Sequence, residues 1–415
     1  MNLQVKYIFP AIDQALCSIA NFLTVVIVAK AVAPSEFGIF IMIYSAIMII
    51  AGIQSSLITG PIRVLGVDID ENKTKYYTSQ LFIQLILSLV LALLFSLILL
   101  LFNLVDKVII LYSSLCIVFL QLYEFTRVIY LTNFDYKALL VSDFSVHITK
   151  LIILWLFYMQ DNLSIENCFL IIFVTSSFSI ILYLKDVLRE RFEMSNLCGV
   201  ISSNWHYGKW LLLETVAFLL SSRIYIYLIG LLIGIEQAGA LGAIQNLLNT
   251  TNVLVMGVMA FAIPVARRAI INGIYFQWIK WLFSVGIFLL AVVIIVLLLM
   301  SIFSDQLVIA LYGEFYSQYS YLIPLLAVVY VVSAINSVLS AAFRTVEQPE
   351  KGANAKLLSA VLTICLAYPL LKFWGLQGAV IGLIGTQLIW LLVYCIYISR
   401  GSLAKSEVLK SINKL

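Results

Sequence analysis

Long runs of apolar residues recur along the whole chain, and short polar segments separate them. The runs from Leu81 to Phe102 and from Trp281 to Phe303 each reach the roughly 20 residues that a helix needs to cross the hydrocarbon core of a bilayer. Strands of a membrane barrel would alternate apolar and polar residues, whereas these runs are largely apolar at successive positions. The pattern therefore predicts membrane-spanning helices.

The apolar runs and the positive charges together predict the number and orientation of the spans. Lys and Arg collect in cytoplasmic loops, and an arrangement with both ends inside places twenty of the 25 cations inside and three outside. The remaining two, Lys150 and Arg223, lie within spans. We therefore expect an all-α integral membrane protein with twelve transmembrane helices and both termini in the cytoplasm, the helices lying near 10–33, 38–60, 80–104, 108–131, 138–159, 168–185, 208–233, 238–263, 280–303, 318–342, 355–372 and 376–398.

A charged stretch without a span, from Lys185 to Lys209, divides the chain near its middle. The turns at 34–38 and 235–239 resemble each other, and a proline follows each of them at a similar distance. We predict two pseudo-symmetric six-helix lobes, residues 1–190 and 208–400, joined by a cytoplasmic linker, 191–207, and followed by a basic tail, 401–415. Repeats of this kind place a substrate site between the two halves. The tail either lies on an anionic leaflet or is solvated.

Composition agrees with this class and restricts the chemistry. The chain is 63% hydrophobic and 11% charged, whereas a soluble domain carries about 25% charged residues. Its two histidines, His147 and His206, belong to no Cys/His cluster, HExxH motif, GxSxG motif or phosphate-binding glycine loop. We therefore predict no catalytic residue, no cofactor, no metal and no nucleic-acid partner.

Several short motifs carry a family resemblance that runs nearly end to end. The first span ends Val28 to Ala33, a Pro34 to Gly38 turn follows, and the next helix ends Gly60-Pro61. Later come Leu311-Tyr312-Gly313-Glu314-Phe315 and Gly375-Leu376-Gln377-Gly378-Ala379. With these motifs the chain resembles the polysaccharide-transporter branch of the multidrug/oligosaccharidyl-lipid/polysaccharide exporter (MOP) superfamily, which includes O-antigen flippases. None of the motifs is catalytic.

The resemblance implies a fold like that of the multidrug exporters (MATE) of the same superfamily, with two lobes that open alternately to either side of the membrane. It implies that the protein flips an undecaprenyl-pyrophosphate-linked oligosaccharide across the bacterial inner membrane. The expected partners are this polyprenyl-linked glycan, membrane lipids and a coupling ion, sodium or a proton. A polysaccharide polymerase and other assembly proteins are further candidate partners. Gly378, Gly382 and Gly385 share one helical face, which indicates close helix packing.

Two cations at mid-membrane are the main site candidates. An ionisable group deep in a span costs at least a few kcal/mol and by default faces a cavity or a partner. Lys150 and Arg223 lie one in each predicted lobe. Cationic side chains in a low-dielectric cavity would offset the charge of a pyrophosphate, and Arg would do so with bidentate hydrogen bonds. We therefore expect both to bind the pyrophosphate.

Asp143, His147 and Lys150 recur at i, i+4 and i+7 and form one stripe on the fifth predicted helix. In one interpretation the stripe faces the cavity, and Asp143 or His147 takes part in ion coupling. In the other, Asp143 neutralises Lys150 within the helix. Glu124 and Glu214 are weaker coupling candidates.

The remaining candidates are polar residues whose function competes with a structural role. One stripe lies on the first predicted helix and another on the eighth, and each either lines the cavity or bonds between helices: Gln14, Ser18 and Asn21, and Gln245, Asn249 and Asn252. Arg63 and Arg127 lie nearer the cytoplasmic ends, where they either guide an anionic headgroup or satisfy topology.

Two other functions remain open. A cation-coupled drug exporter of the same superfamily would use acidic and aromatic residues to hold a cationic drug. A membrane polymerase or ligase would need a catalytic extracytoplasmic loop. The longest predicted outside loop runs only from about Ser304 to Ser317 and holds no cation, which disfavours an enzyme acting on a pyrophosphate substrate.

Overall fold

The computed structural model describes residues 3–66, 73–187, 197–271, 275–346 and 348–403. Within these ranges the chain is helical almost throughout, and the predicted all-α fold class is confirmed. The helices are α1 (Leu3–Ala31), α2 (Pro34–Gln54), α3 (Gly60–Leu65), α4 (Lys73–Leu101), α5 (Lys107–Thr132), α6 (Tyr136–Met159), α7 (Ile165–Val187), α8 (Leu197–Leu232), α9 (Ile235–Leu248), α10 (Thr250–Ile271), α11 (Tyr275–Ile302), α12 (Ser304–Tyr312), α13 (Leu322–Thr345) and α14 (Pro349–Ser399).

Many of these helices have membrane-spanning length and hydropathy. Among the described residues, nine helical stretches are long and apolar enough to cross a bilayer, and a shorter apolar helix covers Ile165–Ile181. The protein is therefore a multi-pass membrane protein. A helix occupies each of the twelve predicted positions. The number of helices that cross the membrane and the side on which the termini lie stay predictions.

The chain forms two compact units, Met1–Val216 and Ala217–Leu415. Helix α8 contains the boundary residues of both units and is continuous from Leu197 to Leu232. Residues 197–207 of the predicted linker therefore form the first turns of α8, while 191–196 lie outside the described residues. The predicted lobe boundaries stay a prediction, as does the role of the tail, of which only 401–403 are described.

In the N-terminal unit, a single wide turn lies within the second helical segment. Residues Ser55–Thr59 are π-helical, and the Gly60 N–H donates to the Ser55 carbonyl five residues back. Pro61 follows directly and has no N–H to continue a regular hydrogen-bond ladder. Such single π turns are frequent at functional sites.

Helix α8 packs against this wide turn. The Ser56 hydroxyl donates to Thr215 Oγ1 at 2.9 Å, and a Cβ at Gly208 would lie only 2.6 Å from the Ser56 carbonyl oxygen. The side-chain amides of Gln80 on α4 and Asn204 on α8 exchange two hydrogen bonds of 2.9 and 2.8 Å. The start of α8 is thereby held against α2 and α4.

In the C-terminal unit, α14 is a helical hairpin that turns at Gly375, where φ is +54°. Cross-hairpin hydrogen bonds join Thr363 to Thr386 at 2.9 Å, Ser359 to Trp390, and Asn354 to Tyr397 at 3.2 Å. From one pair to the next, the residue number decreases on the first arm and increases on the second, so the two arms are antiparallel. This agrees with the separate helices predicted at 355–372 and 376–398.

The glycine stripe on the second arm has the expected packing role at two of its three positions. A Cβ at Gly378 would collide with the backbone carbonyl of Leu370, and one at Gly382 with the hydroxyl of Tyr225. A Cβ at Gly385 would meet no atom within 4 Å among the described residues. Close approach therefore requires glycine at 378 and 382 but not at 385.

We expect Gly378→Ala to lower the thermal stability of the detergent-purified protein, because its methyl group would overlap a backbone atom of the other arm. Such overpacking costs about 1–3 kcal/mol. The matched control is Gly385→Ala on the same arm, which should be neutral or slightly stabilising because Ala favours helix. Melting temperatures followed by circular dichroism test the pair, and equal melting temperatures would contradict the packing assignment.

Candidate functional site

A buried cluster of charged side chains joins α1, α5 and α6 in the N-terminal unit. Arg127 donates from Nη2 to Asp13 Oδ2 at 2.5 Å and from Nε to Asp143 Oδ2 at 2.9 Å. Its Nη1 also lies 3.5 Å from Glu124 Oε2. Asp13 and Asp143 are 1% and 0% exposed. One guanidinium therefore pairs with both buried carboxylates, a ratio of one positive to two negative formal charges.

Tyr123 extends the cluster toward His147. Its hydroxyl donates to Asp143 Oδ1 at 2.7 Å and lies 2.9 Å from His147 Nε2. Because a hydroxyl has one proton and a carboxylate only accepts, His147 Nε2 must be the protonated nitrogen that donates to the phenol oxygen. Nδ1 is then an acceptor, and it has no partner among the described residues.

A cavity of about 320 Å³ lies beside this cluster, entirely within the N-terminal unit. Lys150, His147, Tyr123 and Asn21 line its wall. Lys150 is 5% exposed, and its ammonium donates to Asn21 Oδ1 at 3.1 Å. That is its one hydrogen bond to the described part of the chain. An ammonium has three donors, so Lys150 retains donors for a ligand.

Gln54 and Gln121 belong to the cavity wall, and Gln84, which does not line it, joins them through hydrogen bonds. Gln54 Nε2 donates to Gln84 Oε1 at 3.0 Å, and Gln84 Nε2 donates to Gln121 Oε1 at 3.3 Å. Gln121 lines the cavity and is 2% exposed. Its own Nε2 has no hydrogen-bond partner in the described ranges. Gln121 therefore carries a buried donor without a partner beside the cavity.

The formal charges around the cavity balance. Asp13, Glu124 and Asp143 are acidic, and they are matched by three cations, Arg63, Arg127 and Lys150. Both fully buried acids bond to Arg127, whereas Lys150 has a neutral amide as its partner. Lys150 is therefore a cation on the cavity wall whose hydrogen-bond partner in the described ranges is neutral.

The structure shows which contacts are made by the stripe of Asp143, His147 and Lys150 on α6. Asp143 pairs with Arg127 of α5, and no ion pair links it to Lys150 within the described residues. Lys150 and His147 both line the cavity, together with Glu124, Arg63 and Asn21. The functions of these residues stay predictions.

Gln14 and Ser18 are half-buried, and Gln14 donates to Ser18 at 3.5 Å. They are not among the residues that line the cavity. Glu214 lies half-buried on α8 and belongs to the N-terminal unit. Of the polar residues predicted on the first helix, the structure thus brings Asn21 to the cavity.

The remaining predicted site residues lie in the C-terminal unit. Arg223 is half-buried on α8, and it lies close enough to Tyr227 and Tyr330 to interact with them electrostatically. The Tyr330 hydroxyl bonds to the Gln245 carbonyl at 3.2 Å and to Asn249 Oδ1 at 3.0 Å. Asn252 donates to the same Asn249 oxygen at 3.1 Å. These amide groups thus make contacts within and between helices at the break between α9 and α10.

Sequence reasoning did not assign a site role to Asp13, Cys17, Tyr123, Gln54 or Gln121. The rule that selected Lys150 would also have selected Asp13, because Asp13 is a charge within a predicted span. Asp13 also shares a helical face with Cys17, at i and i+4. Tyr123 and Arg127 have the same spacing on α5. The glutamines carry no comparable signal, because a single amide in an apolar helix is commonly a packing contact.

One group of atoms in the cluster has the spacing of a cation site. A carboxylate oxygen of Asp13, one of Asp143 and the Cys17 thiol lie within 4.8 Å of one another. The same two carboxylates bond to Arg127. A sodium ion or a second cation would therefore compete with the guanidinium for its ligands.

We expect Arg127→Met to destabilise the purified protein, because it leaves two buried carboxylates without their cation. Removing one partner of a buried ion pair typically costs about 3–5 kcal/mol. The variant that combines Arg127→Met with Asp13→Asn and Asp143→Asn should recover most of the lost melting temperature. Lys107→Met, at an exposed position, is the matched control, and an unchanged melting temperature in Arg127→Met would contradict the assignment.

No family model matches the sequence, and no curated protein matches it. Solved structures do match. They include an inward-facing multidrug resistance MATE transporter of the MOP superfamily, with a TM-score of 0.77 at 14% identity over 96% of both chains. A MATE transporter of Vibrio cholerae has a TM-score of 0.64 at 14% identity, covering 95% of this chain and 96% of its own.

A MOP superfamily transporter from Pyrococcus furiosus, described as having a binding pocket of reverse polarity, also has a TM-score of 0.64 at 14% identity. That match covers 96% of this chain and 95% of the other. At this level of identity the likeness concerns the fold. The chain has the fold of the MATE transporters of the MOP superfamily.

Proposed function

We propose that the protein is a transporter that flips an anionic lipid-linked sugar, an undecaprenyl-pyrophosphate-linked oligosaccharide, across a bacterial inner membrane. Three observations support this: the fold of MOP transporters, the sequence motifs of the polysaccharide branch, and a polar cavity inside the N-terminal unit. The proposed partners are the glycan substrate, the surrounding lipids, and the polymerase and other proteins that assemble the polysaccharide.

The observation that carries the proposal is the position of Lys150. Its ammonium lies on the cavity wall with a neutral partner, while Asp13 and Asp143 of the same unit are already bound to Arg127. A phosphate oxygen at Lys150 would gain a charge-assisted hydrogen bond in a medium of low dielectric. Arg127 already bonds to one oxygen of each buried acid, whereas the Lys150 ammonium has donors left for an anion.

The uncharged groups of the cavity wall suit a sugar. His147 Nδ1 is an acceptor without a partner, and Gln121 Nε2 is a donor without one, among the described residues. A sugar hydroxyl both donates and accepts hydrogen bonds, so a glycan toward which these two side chains turn can satisfy both groups. Leaving such buried groups unpaired costs about 1–3 kcal/mol each, which would favour a hydroxylated ligand over an apolar one.

The other predicted cations have different proposed roles. Arg63 lines the cavity and is itself exposed, and it is proposed to attract the headgroup. Arg127 is proposed to act through the acids that it holds, because its guanidinium is engaged by carboxylates. Arg223 is the proposed pyrophosphate contact of the C-terminal unit. Gln245, Asn249 and Asn252 are proposed as further polar contacts in that unit.

Coupling to an ion gradient is proposed for the same cluster. Asp143 and His147 both bond to the Tyr123 hydroxyl, so a proton added at His147 or a cation bound at Asp143 would rearrange one shared hydrogen-bond chain. Glu124, whose side chain is 38% exposed, and Glu214 are secondary candidates. The proposed coupling ion is a proton or sodium.

A cation-coupled multidrug exporter is the second candidate function. Tyr44 and Tyr123 line the cavity together with the partly exposed Glu124, and aromatic faces beside a carboxylate suit a cationic drug. Solved structures with this fold include both multidrug transporters and the pyrococcal protein whose pocket polarity is described as reversed. A transport assay with both substrate classes distinguishes the two functions.

The proposal predicts that Lys150→Met slows flipping. Purified protein in proteoliposomes is given a fluorescent polyprenyl-pyrophosphate-linked disaccharide in the outer leaflet, and its movement inward is followed as protection from dithionite. Loss of a hydrogen bond to a charged group costs about 1.5–3 kcal/mol, so we expect roughly tenfold or slower flipping. Lys150→Arg should keep most of the activity, and Lys107→Met should keep all of it.

Ethidium accumulation is measured in parallel with the same proteoliposomes. If wild-type protein transports ethidium under an imposed proton or sodium gradient and does not flip the lipid-linked disaccharide, the protein is a drug exporter. If flipping occurs but Lys150→Met flips as fast as Lys107→Met, the flippase function stands and the assigned site is wrong.

Proton coupling is tested separately through His147. We expect an imposed pH gradient to accelerate flipping by the wild-type protein and to leave His147→Gln at its basal rate, because glutamine keeps a hydrogen bond to Tyr123 but takes up no proton. The control is a sodium gradient at equal pH on both sides. Acceleration of both proteins by the pH gradient would exclude His147 as the proton acceptor.

A further inference from the structure

A second cavity, in the C-terminal unit, has the opposite character to the first. It has a volume of about 540 Å³ and is formed by α11, α13 and the end of α14. Every residue that lines it is apolar or glycine. The only polar group of its one tryptophan, Trp278 Nε1, is used in a 3.1 Å hydrogen bond to Thr345 Oγ1. Hydrocarbon is therefore the chemistry that fits this cavity.

The cavity is a recessed groove with a floor of small or buried residues and a rim of large exposed ones. Trp278 and Ala342 on the floor are 1% and 4% exposed, and a Cβ at Gly286 would lie 3.3 Å from Val338. On the rim, Phe283 and Ile287 are 68% and 66% exposed. The groove thus opens on the side that a membrane-spanning helix presents to lipid.

The length of the groove matches one leaflet. Its lining residues on α11 extend from Trp278 to Leu290, which corresponds to about 18 Å of helix. The hydrocarbon of one leaflet is about 15 Å deep, half of a core of about 30 Å. One acyl chain of a phospholipid can therefore occupy the groove along its whole length.

Two exposed cations mark one end of the groove. Lys280 shares a helical face with Phe283 and Ile287 at i, i+3 and i+7, and Arg400 immediately precedes Gly401 of the groove wall. Both side chains are exposed. Neither makes an ion pair or a side-chain hydrogen bond within the described part of the chain. Cations at the edge of an apolar groove are the arrangement that holds an anionic lipid headgroup.

We propose that this groove is a binding site for one anionic phospholipid, with an acyl chain between α11 and α13 and its phosphate at Lys280 and Arg400. The site does not depend on the proposed transport function. The chain's own segment 404–415, outside the described residues, is a poorer occupant, because its three lysines and one glutamate would bring net positive charge to a positive groove end.

Native mass spectrometry of the full-length protein in a non-ionic detergent tests the site. Dioleoyl phosphatidylglycerol is the anionic probe and dioleoyl phosphatidylcholine the neutral one. We expect wild-type protein to retain one phosphatidylglycerol with at least fivefold preference over phosphatidylcholine, since each such cation contributes about a factor of five. Lys280→Gln and Arg400→Gln should each remove that preference in part, and Arg400→Lys should keep it.

Groove-filling variants test the acyl-chain part of the site. Leu282→Trp and Leu290→Trp should both lose the retained lipid, whereas Leu298→Trp should keep it, because Leu298 is an exposed residue of the same helix outside the groove. Two filling variants are used so that a folding defect in one, detected by size-exclusion chromatography, leaves the other informative.

Three results would overturn the proposal. The first is equal lipid retention by the filled variants and Leu298→Trp. The second is equal affinity of the wild-type protein for the two lipids. The third is lipid retention that appears only after truncation behind Leu403, which would make the chain's own tail the occupant of the groove.

Discussion

The cost of burying charge in a medium without water is the constraint on which the N-terminal unit depends. Asp13 and Asp143 are almost completely buried, and each would be prohibitively expensive as an isolated ion. Arg127 makes both tolerable by bonding to them with two of its nitrogens. Helices α1, α5 and α6 are therefore joined by an interaction that none of them could satisfy alone.

The same constraint explains why the neighbouring cavity is informative. A buried ion pair seldom adds net stability compared with well-packed apolar residues, so its presence in a membrane helix indicates a function. Among the described residues, the buried groups around it that lack a full set of partners include the Lys150 ammonium, Gln121 Nε2, His147 Nδ1 and Asp13 Oδ1. The proposal of an anionic, hydroxylated substrate rests on the first three of these groups.

Close helix packing supplies the second organising principle, because apolar side chains gain little by leaving lipid for a protein interior. Gly208 allows α8 to approach the wide turn at Ser56, and Gly378 allows the arms of α14 to approach each other. These glycines hold helices at distances that alanine would not permit. In the apolar groove of the C-terminal unit, Gly286 and Ala342 instead provide depth.

The sequence by itself determined the all-α fold and the positions of the long helices, because a bilayer requires long apolar helices and each leaves a clear run of residues. It predicted a loop where α12 lies and one helix where α9 and α10 are separate. It also identified Lys150, Asp143 and His147 as candidate site residues, since ionisable side chains are costly to bury in such runs. Only the tertiary structure decided that Asp143 pairs with Arg127, and that Arg127 reaches Asp13 across 114 residues. Helical spacing shows which residues share a face, but the partner of that face depends on how distant helices pack.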